Sequence, residues 1–129
     1  MRYFGFGDAM PRELITLDVR TRADWRRWLA THHASSDGVW LLRQKQHTGV
    51  ASMPYEDVVG EALCFGWVDS KSRSVDDART SLFFTPRKPA SSWSESNVAR
   101  VEKLEAAGLM RAAGRRAVEE AKRNGRWPA

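Results

Sequence analysis

The stretch FGWVDSKSRSVDDARTSLFFTPRKPASSWSESN, Phe65–Asn97, decides the fold. It holds two short apolar runs, Trp67–Asp69 and Ser81–Thr85, joined by a polar connection. Two such runs at this spacing suit a loose hairpin or a neighbouring antiparallel pair, with the polar Ser70–Ser74 and the connection Val75–Arg79 lying between the strands. Pro86 and Pro89 end the second run and predict an extended segment over Pro86–Ala90, because proline fixes its own φ and restricts the residue before it. A helix start follows. Ser92 with Glu95 forms one capping box, but Ser94 as N-cap lets Trp93 staple onto Val98 and bury its indole, and this is the preferred reading.

Working outward, Val98, Val101 and Leu104, with Asn97, predict the inner face of a helix that Gly108 ends. A second helix over Arg111–Asn124 turns Ala113, Ala117, Val118 and Ala121 inward, giving a helical hairpin with an Ala-rich contact. Upstream, Tyr55, Val58, Val59, Ala62 and Leu63 form the apolar stripe of a helix over Pro54–Phe65. Glu56 and Asp57 suit its N-terminal dipole and Gly66 its stop. Val39–Lys45 reads as a buried strand and Gln46–Ser52 as a polar loop. Thr21 is an N-cap for a helix over Arg22–His33, where Trp25, Trp28, Leu29 and His32 share one face. The alternation at Ile15, Leu17 and Val19 predicts a strand within Arg12–Val19. Residues 1–11 read as a flexible lead-in. The fold class expected is α+β: one domain over residues 12–127, a small and mostly antiparallel sheet with packed helices and a C-terminal helical hairpin.

The chain has 129 residues, 42% hydrophobic and 29% charged, enough for one core without disulfides or metal. Cys64 is the single cysteine, so no intramolecular disulfide forms, and its apolar neighbours make it a small buried hydrophobe. A lone cysteine fits a reducing compartment, and the opening MRYFGFGDAMPRE lacks the apolar core of a signal peptide. No run reaches the roughly 18 apolar residues a membrane span needs. A cytoplasmic protein without membrane insertion is expected. The net charge of +5 sits mainly toward the C-terminus, on Arg111, Arg115, Arg116, Lys122, Arg123 and Arg126. It admits an anionic partner, although a solvated helix face is the simpler account.

Chemistry concentrates in the same stretch. Arg87 leaves a strand, and Ser91, Ser92, Ser94 and Asn97 lie at a helix N-terminus, where free N–H groups accept anions. An arginine fork grips carboxylate or phosphate, and Trp67 and Trp93 offer an apolar wall. Asp69 can line the same mouth. The candidate ligand-binding set is therefore Trp67, Asp69, Arg87, Ser91, Trp93, Ser94 and Asn97. The rival reading makes Ser92, Ser94 and Asn97 mere caps, Arg87 a buried strut paired to Asp69 or Asp76, and Trp93 a core anchor. No G-x-S-x-G elbow, Gly-rich phosphate loop or H-E-x-x-H occurs, so no catalytic residue, cofactor or metal site is assigned. Adjacent His32 and His33 point to different faces and make a poor metal pair. A small hydrolase or transferase using Asp69 or Asp76 beside the pocket is one alternative. A nucleic-acid-binding stress protein using the basic C-terminal helix is another.

ALCFGWVDS (62–70), FTPRKPASSWSESN (84–97), VEKLEAAGLM (101–110) and NGRW (124–127) resemble the YdeI/OmpD-associated family, also called bacteriocin-protection proteins. WRRWLATHHASSDGVWLLRQK (25–45) and YEDVVGEALCFGW (55–67) are similar to the same family, so the resemblance spans roughly residues 12–127. It implies a small bacterial, cytoplasmic protein associated with stress and bacteriocin tolerance, of unestablished biochemical activity. Its motif positions here are Gly66, Trp67, Asp69, Pro86, Arg87, Ser91, Trp93, Ser94 and Asn97. Family members continue past G-R-W into a basic helical module, whereas this sequence ends at Pro128–Ala129. Apolar surface left where that module docks would favour a homodimer.

Overall fold

The structure, a computed structural model, describes residues 15–128. The expected lead-in over residues 1–11 and the first residues of the strand expected within Arg12–Val19 lie outside them.

A four-stranded sheet runs in the order β1 (Thr16–Leu17), β2 (Val39–Gln44), β4 (Arg79–Pro86), β3 (Trp67–Ser74). β1 is parallel to β2, while β2–β4 and β4–β3 are antiparallel. The helices are α1 (Arg22–His32), α2 (Tyr55–Cys64), α3 (Glu95–Ala106) and α4 (Ala112–Arg123). The protein is thus an α+β domain with a mostly antiparallel sheet. No helix of the described residues is long and apolar enough to cross a membrane.

Local chemistry explains the boundaries. Thr21 accepts the Asp24 amide through its hydroxyl and starts α1. Gly66, at φ +77°, takes the left-handed conformation that ends α2 and launches β3. Ser94 accepts the Asn97 amide and caps α3. The β3–β4 link is tighter than its length suggests. Asp76 accepts from the Ala78 and Arg79 amides and pairs with the Arg79 guanidinium, so the pairing reaches back to Arg79. The polar Ser70–Ser74 is strand because its partner supplies the ladder, with a bulge between Asp69 and Lys71. Pro89–Ala90 form a turn closed by the Ser91 amide on the Lys88 carbonyl, so the segment after Pro86 is extended for only two residues.

The core lies between the inner face of the sheet and α1 and α2. Trp25 and Leu29 of α1 are fully buried, and Trp25 meets Phe84 edge-on at 5.2 Å. The Trp25 indole N–H donates to the Val58 carbonyl, so the ring is buried with its polar atom satisfied. One charge joins this core. Glu61 of α2 is 1% exposed and accepts from Arg22 and Arg26, one turn apart on α1. Arg22 also reaches Asp57, and Arg26 donates to the Leu109 carbonyl between α3 and α4.

The C-terminal hairpin differs from the Ala-rich contact expected between its helices. Both helices lean on α2. Leu104 of α3 packs over Gly60. Gly114 of α4 sits against the end of α2, where a Cβ would stand 2.3 Å from the Cys64 carbonyl oxygen. Between α3 and α4 runs an apolar groove of about 490 Å³, floored by Val101, Met110 and Val118.

Two substitutions test this packing. Glu61→Gln strands two arginines and is expected to cost about 2–4 kcal/mol in urea unfolding, with Arg22→Leu/Arg26→Met/Glu61→Leu recovering at least half. Loss from the single variant with no recovery in the triple would contradict the clamp. Gly114→Ala would gain about 1 kcal/mol in an open helix. Here it is expected to lose about 1–3 kcal/mol by overpacking, and a gain would show that α4 is not seated on Cys64.

Candidate functional site

The cleft begins where β3 starts and β4 ends. Trp67 pairs with Pro86, and the Arg87 amide donates to the Gly66 carbonyl at 2.9 Å. This pairing puts Arg87 beside the α2–β3 turn. Gly66 also lets α4 come close, since a Cβ there would stand 3.0 Å from the Ala113 carbonyl oxygen. The result is a cleft of about 420 Å³. Phe65 and Trp67 form its floor, Arg87, Lys88 and Trp93 one wall, and Ala113, Arg116 and Glu120 of α4 the other, with His33 at one end.

Arg87 is the unusual member. Its guanidinium carbon lies 4.0 Å over the Trp93 ring, and one terminal nitrogen donates to the Ser92 carbonyl at 2.6 Å. Its Nε is buried and has no hydrogen-bond partner. Among the described residues no carboxylate forms an ion pair with it, whereas Arg22, Arg26, Arg79 and Arg100 all have one. Burial alone holds its pKa below the ordinary arginine value. Trp93 is fixed behind it by Trp127, whose ring centre is 5.2 Å away.

The other polar groups reinforce the positive character. Lys88 and Arg116 face the same space. Glu120 also lines it, but its carboxylate is held by Arg123 at 2.6 Å. His33 contacts the Leu29 carbonyl through Nδ1 and meets Phe65 at a 48° tilt, with ring centres 5.2 Å apart. The Trp67 indole donates to the His33 carbonyl at 3.2 Å, tying the floor to the end wall.

Trp67, Arg87 and Trp93, expected from the sequence, converge here. Asp69, Ser91, Ser94 and Asn97 do not line the cleft. Asp69 accepts from the Tyr55 hydroxyl at 3.0 Å, and burial, then the Asp69 charge, raises the Tyr55 pKa. The Asn97 side chain accepts from Arg100, which also grips Glu56 with three contacts and lowers that carboxyl's pKa. Ser94 is spent on its cap, and the α3 N-terminus therefore adds nothing to the cleft. Asp76 belongs to the hairpin turn, so Arg87 is not a strut on either aspartate. Phe65, His33, Lys88, Arg116 and Glu120 join the site through tertiary packing. Among the described residues no group of three His, Cys, Asp or Glu could hold a metal ion.

Chemically, the cleft presents an aromatic floor and a fixed, uncompensated guanidinium with further cations at the rim. That set suits recognition of an anionic group attached to a flat or apolar body. No curated protein and no solved structure matches the chain. A family model does, over residues 17–117, and on that match the chain belongs to the family described as "Domain of unknown function (DUF8412)".

Proposed function

We propose that the protein is a binding module that takes a small carboxylate- or phosphate-bearing ligand, including a peptide carboxylate, into the Arg87 cleft. One observation carries the reading: Arg87 is partly buried and stacked on Trp93, yet among the described residues no carboxylate pairs with it and its Nε has no hydrogen-bond partner. Arg43 also has an orphaned Nε, but only Arg87 combines it with a place in this cleft beside Lys88 and Arg116, and a charge and donor left unsatisfied there cost stability that a bound anion would restore. An incoming anion supplies both, and Lys88 and Arg116 add to its attraction. Asp69 and Asp76 lie outside the cleft, so the reading is one of binding and includes no acid–base step. The resemblance of residues 62–70 and 84–97 to YdeI/OmpD-associated proteins supports placing this binding in a bacterial stress or bacteriocin-tolerance setting.

Arg87→Met tests it, because methionine keeps the contact with Trp93 and removes the charge. Without ligand, the variant is expected to match or exceed the wild-type stability to within about 0.5 kcal/mol, the usual exchange of function for stability. In a thermal-shift screen of carboxylates and phosphates, the wild type should be stabilised in proportion to ligand concentration and Arg87→Met should not. A loss of more than about 2 kcal/mol without ligand, or equal ligand shifts in both proteins, would sink the proposal.

A further inference from the structure

The opposite face of the sheet carries a second, separate constellation. Strand pairing places Trp40 of β2, Phe83 of β4 and Lys71 of β3 in one row across the sheet. The next row holds Leu42 and Arg73 on either side of Ser81, which is itself fully buried, so the open part of the face is the row of Trp40, Phe83 and Lys71 with Arg73 at its edge. Side chains alternate along each strand, so these rows face away from Val39, Leu41 and Phe84, which point into the core. α1 and α2 pack on that inner side, and α3 and α4 pack on α2. No described helix therefore sits over Trp40 or Phe83.

The row is organised rather than scattered. The Trp40 and Phe83 rings lie 4.8 Å apart with a 35° tilt. The Arg73 guanidinium lies 3.9 Å over Trp40, and the Lys71 ammonium is 5.8 Å from Trp40 and 5.2 Å from Phe83. Lys71 and Arg73 are exposed, and the two rings are partly so. Neither cation has an ion-pair partner among the described residues, whereas Asp18 and Asp76 are held by Arg20 and Arg79. The face is thus positive and flat, with planar groups at its centre.

We infer that this outer sheet face, built on Trp40, Phe83, Lys71 and Arg73, is a stacking site for single-stranded nucleic acid. A single strand offers what the face complements: unpaired bases with exposed ring planes, and phosphates one step away. Bases stack on aromatic rings and on guanidinium planes alike, and the cations track the backbone. A duplex hides its base planes and would meet only the two cations. An acidic peptide would pair with the cations but leave the rings unused. This surface shares no residue with the Arg87 cleft, so either can fail without the other.

The test is fluorescence anisotropy with labelled oligo(dT) and oligo(U) of about twelve nucleotides, close to the site sizes such faces cover. Wild-type protein should bind, and affinity should fall with salt at a log–log slope of about −1.4, from two neutralised phosphates. Duplex of the same length should bind at least tenfold more weakly. Lys71→Ala/Arg73→Ala, at exposed positions, should weaken binding at least tenfold, and Trp40→Leu or Phe83→Leu about tenfold with an unchanged melting temperature. Equal binding of oligo(dT) and oligo(U) points to stacking alone, and a preference for oligo(U) to added contacts with the ribose hydroxyl; both support the site. The inference is overturned by no binding at low salt or by duplex binding as tight as single strand. It is also overturned by leucine variants as tight as wild type, or by an Arg123→Ala loss equal to that of the double variant, which would indicate diffuse charge on α4.

Discussion

The Glu61 carboxylate, buried in α2 and held by Arg22 and Arg26, is the interaction on which the remaining arrangement depends. A carboxylate taken out of water costs several kcal/mol unless its oxygens are fully occupied. Two arginines one turn apart on α1 occupy them. The clamp does more than offset its own burial. It sets the register of α1 on α2, and Arg26 extends it to the Leu109 carbonyl between α3 and α4. The same guanidinium lies 5.4 Å over Phe65, the ring that floors the cleft. One ion-pair cluster therefore positions three helices and the floor of the site. Gly114 on the Cys64 carbonyl fixes the fourth helix against the same end of α2.

Arg87 poses the same electrostatic problem and solves it differently. It keeps its charge partly buried with a ring beneath it and a single carbonyl contact. A carboxylate arriving about 4 Å away would gain roughly 4 kcal/mol at the effective dielectric near a protein surface. An exposed pair nets only about 0–1 kcal/mol after screening and side-chain entropy, so a partly buried arginine already fixed in a cleft is a more specific receptor than a basic helix face. Most α4 and hairpin-link arginines illustrate the contrast. Arg111 and Arg115 donate to local carbonyls, and Arg123 pairs within its helix.

Much of the fold was legible in the sequence because its signals are local. Thr21, Ser94 and Gly66 mark helix ends by chemistry within a few residues, and the stripes of α1 and α2 follow the helical period. The polar β3 residues were harder to place, because their strand character comes from pairing with β4 rather than from their own composition. In the site, Trp67, Arg87 and Trp93 could be grouped because the β3–β4 pairing was readable. Asp69 could not be placed from the sequence. It sits two residues further along β3, where it meets Tyr55 of α2 rather than Arg87. Glu61 was hidden among Val58, Val59, Ala62 and Leu63. Its only trace was the i, i+4 spacing of Arg22 and Arg26, which gains meaning once α1 lies on α2. Arg116 and Glu120 enter the cleft only because Gly66 and Gly114 admit α4 so closely, a contact that no local pattern encodes.

The central claim is that the Arg87 guanidinium is an open receptor while Arg22 and Arg26 are closed on Glu61. Nitrogen–proton NMR spectra of the arginine Nε–H groups, titrated with acetate and then with phosphate, measure this directly. Arg87 is identified by the signal missing in Arg87→Met. The account predicts a saturable displacement of the Arg87 signal while those of Arg22 and Arg26, already committed to Glu61, hold still. An Arg87 signal that does not move, or a uniform drift of all arginine signals together, would contradict it.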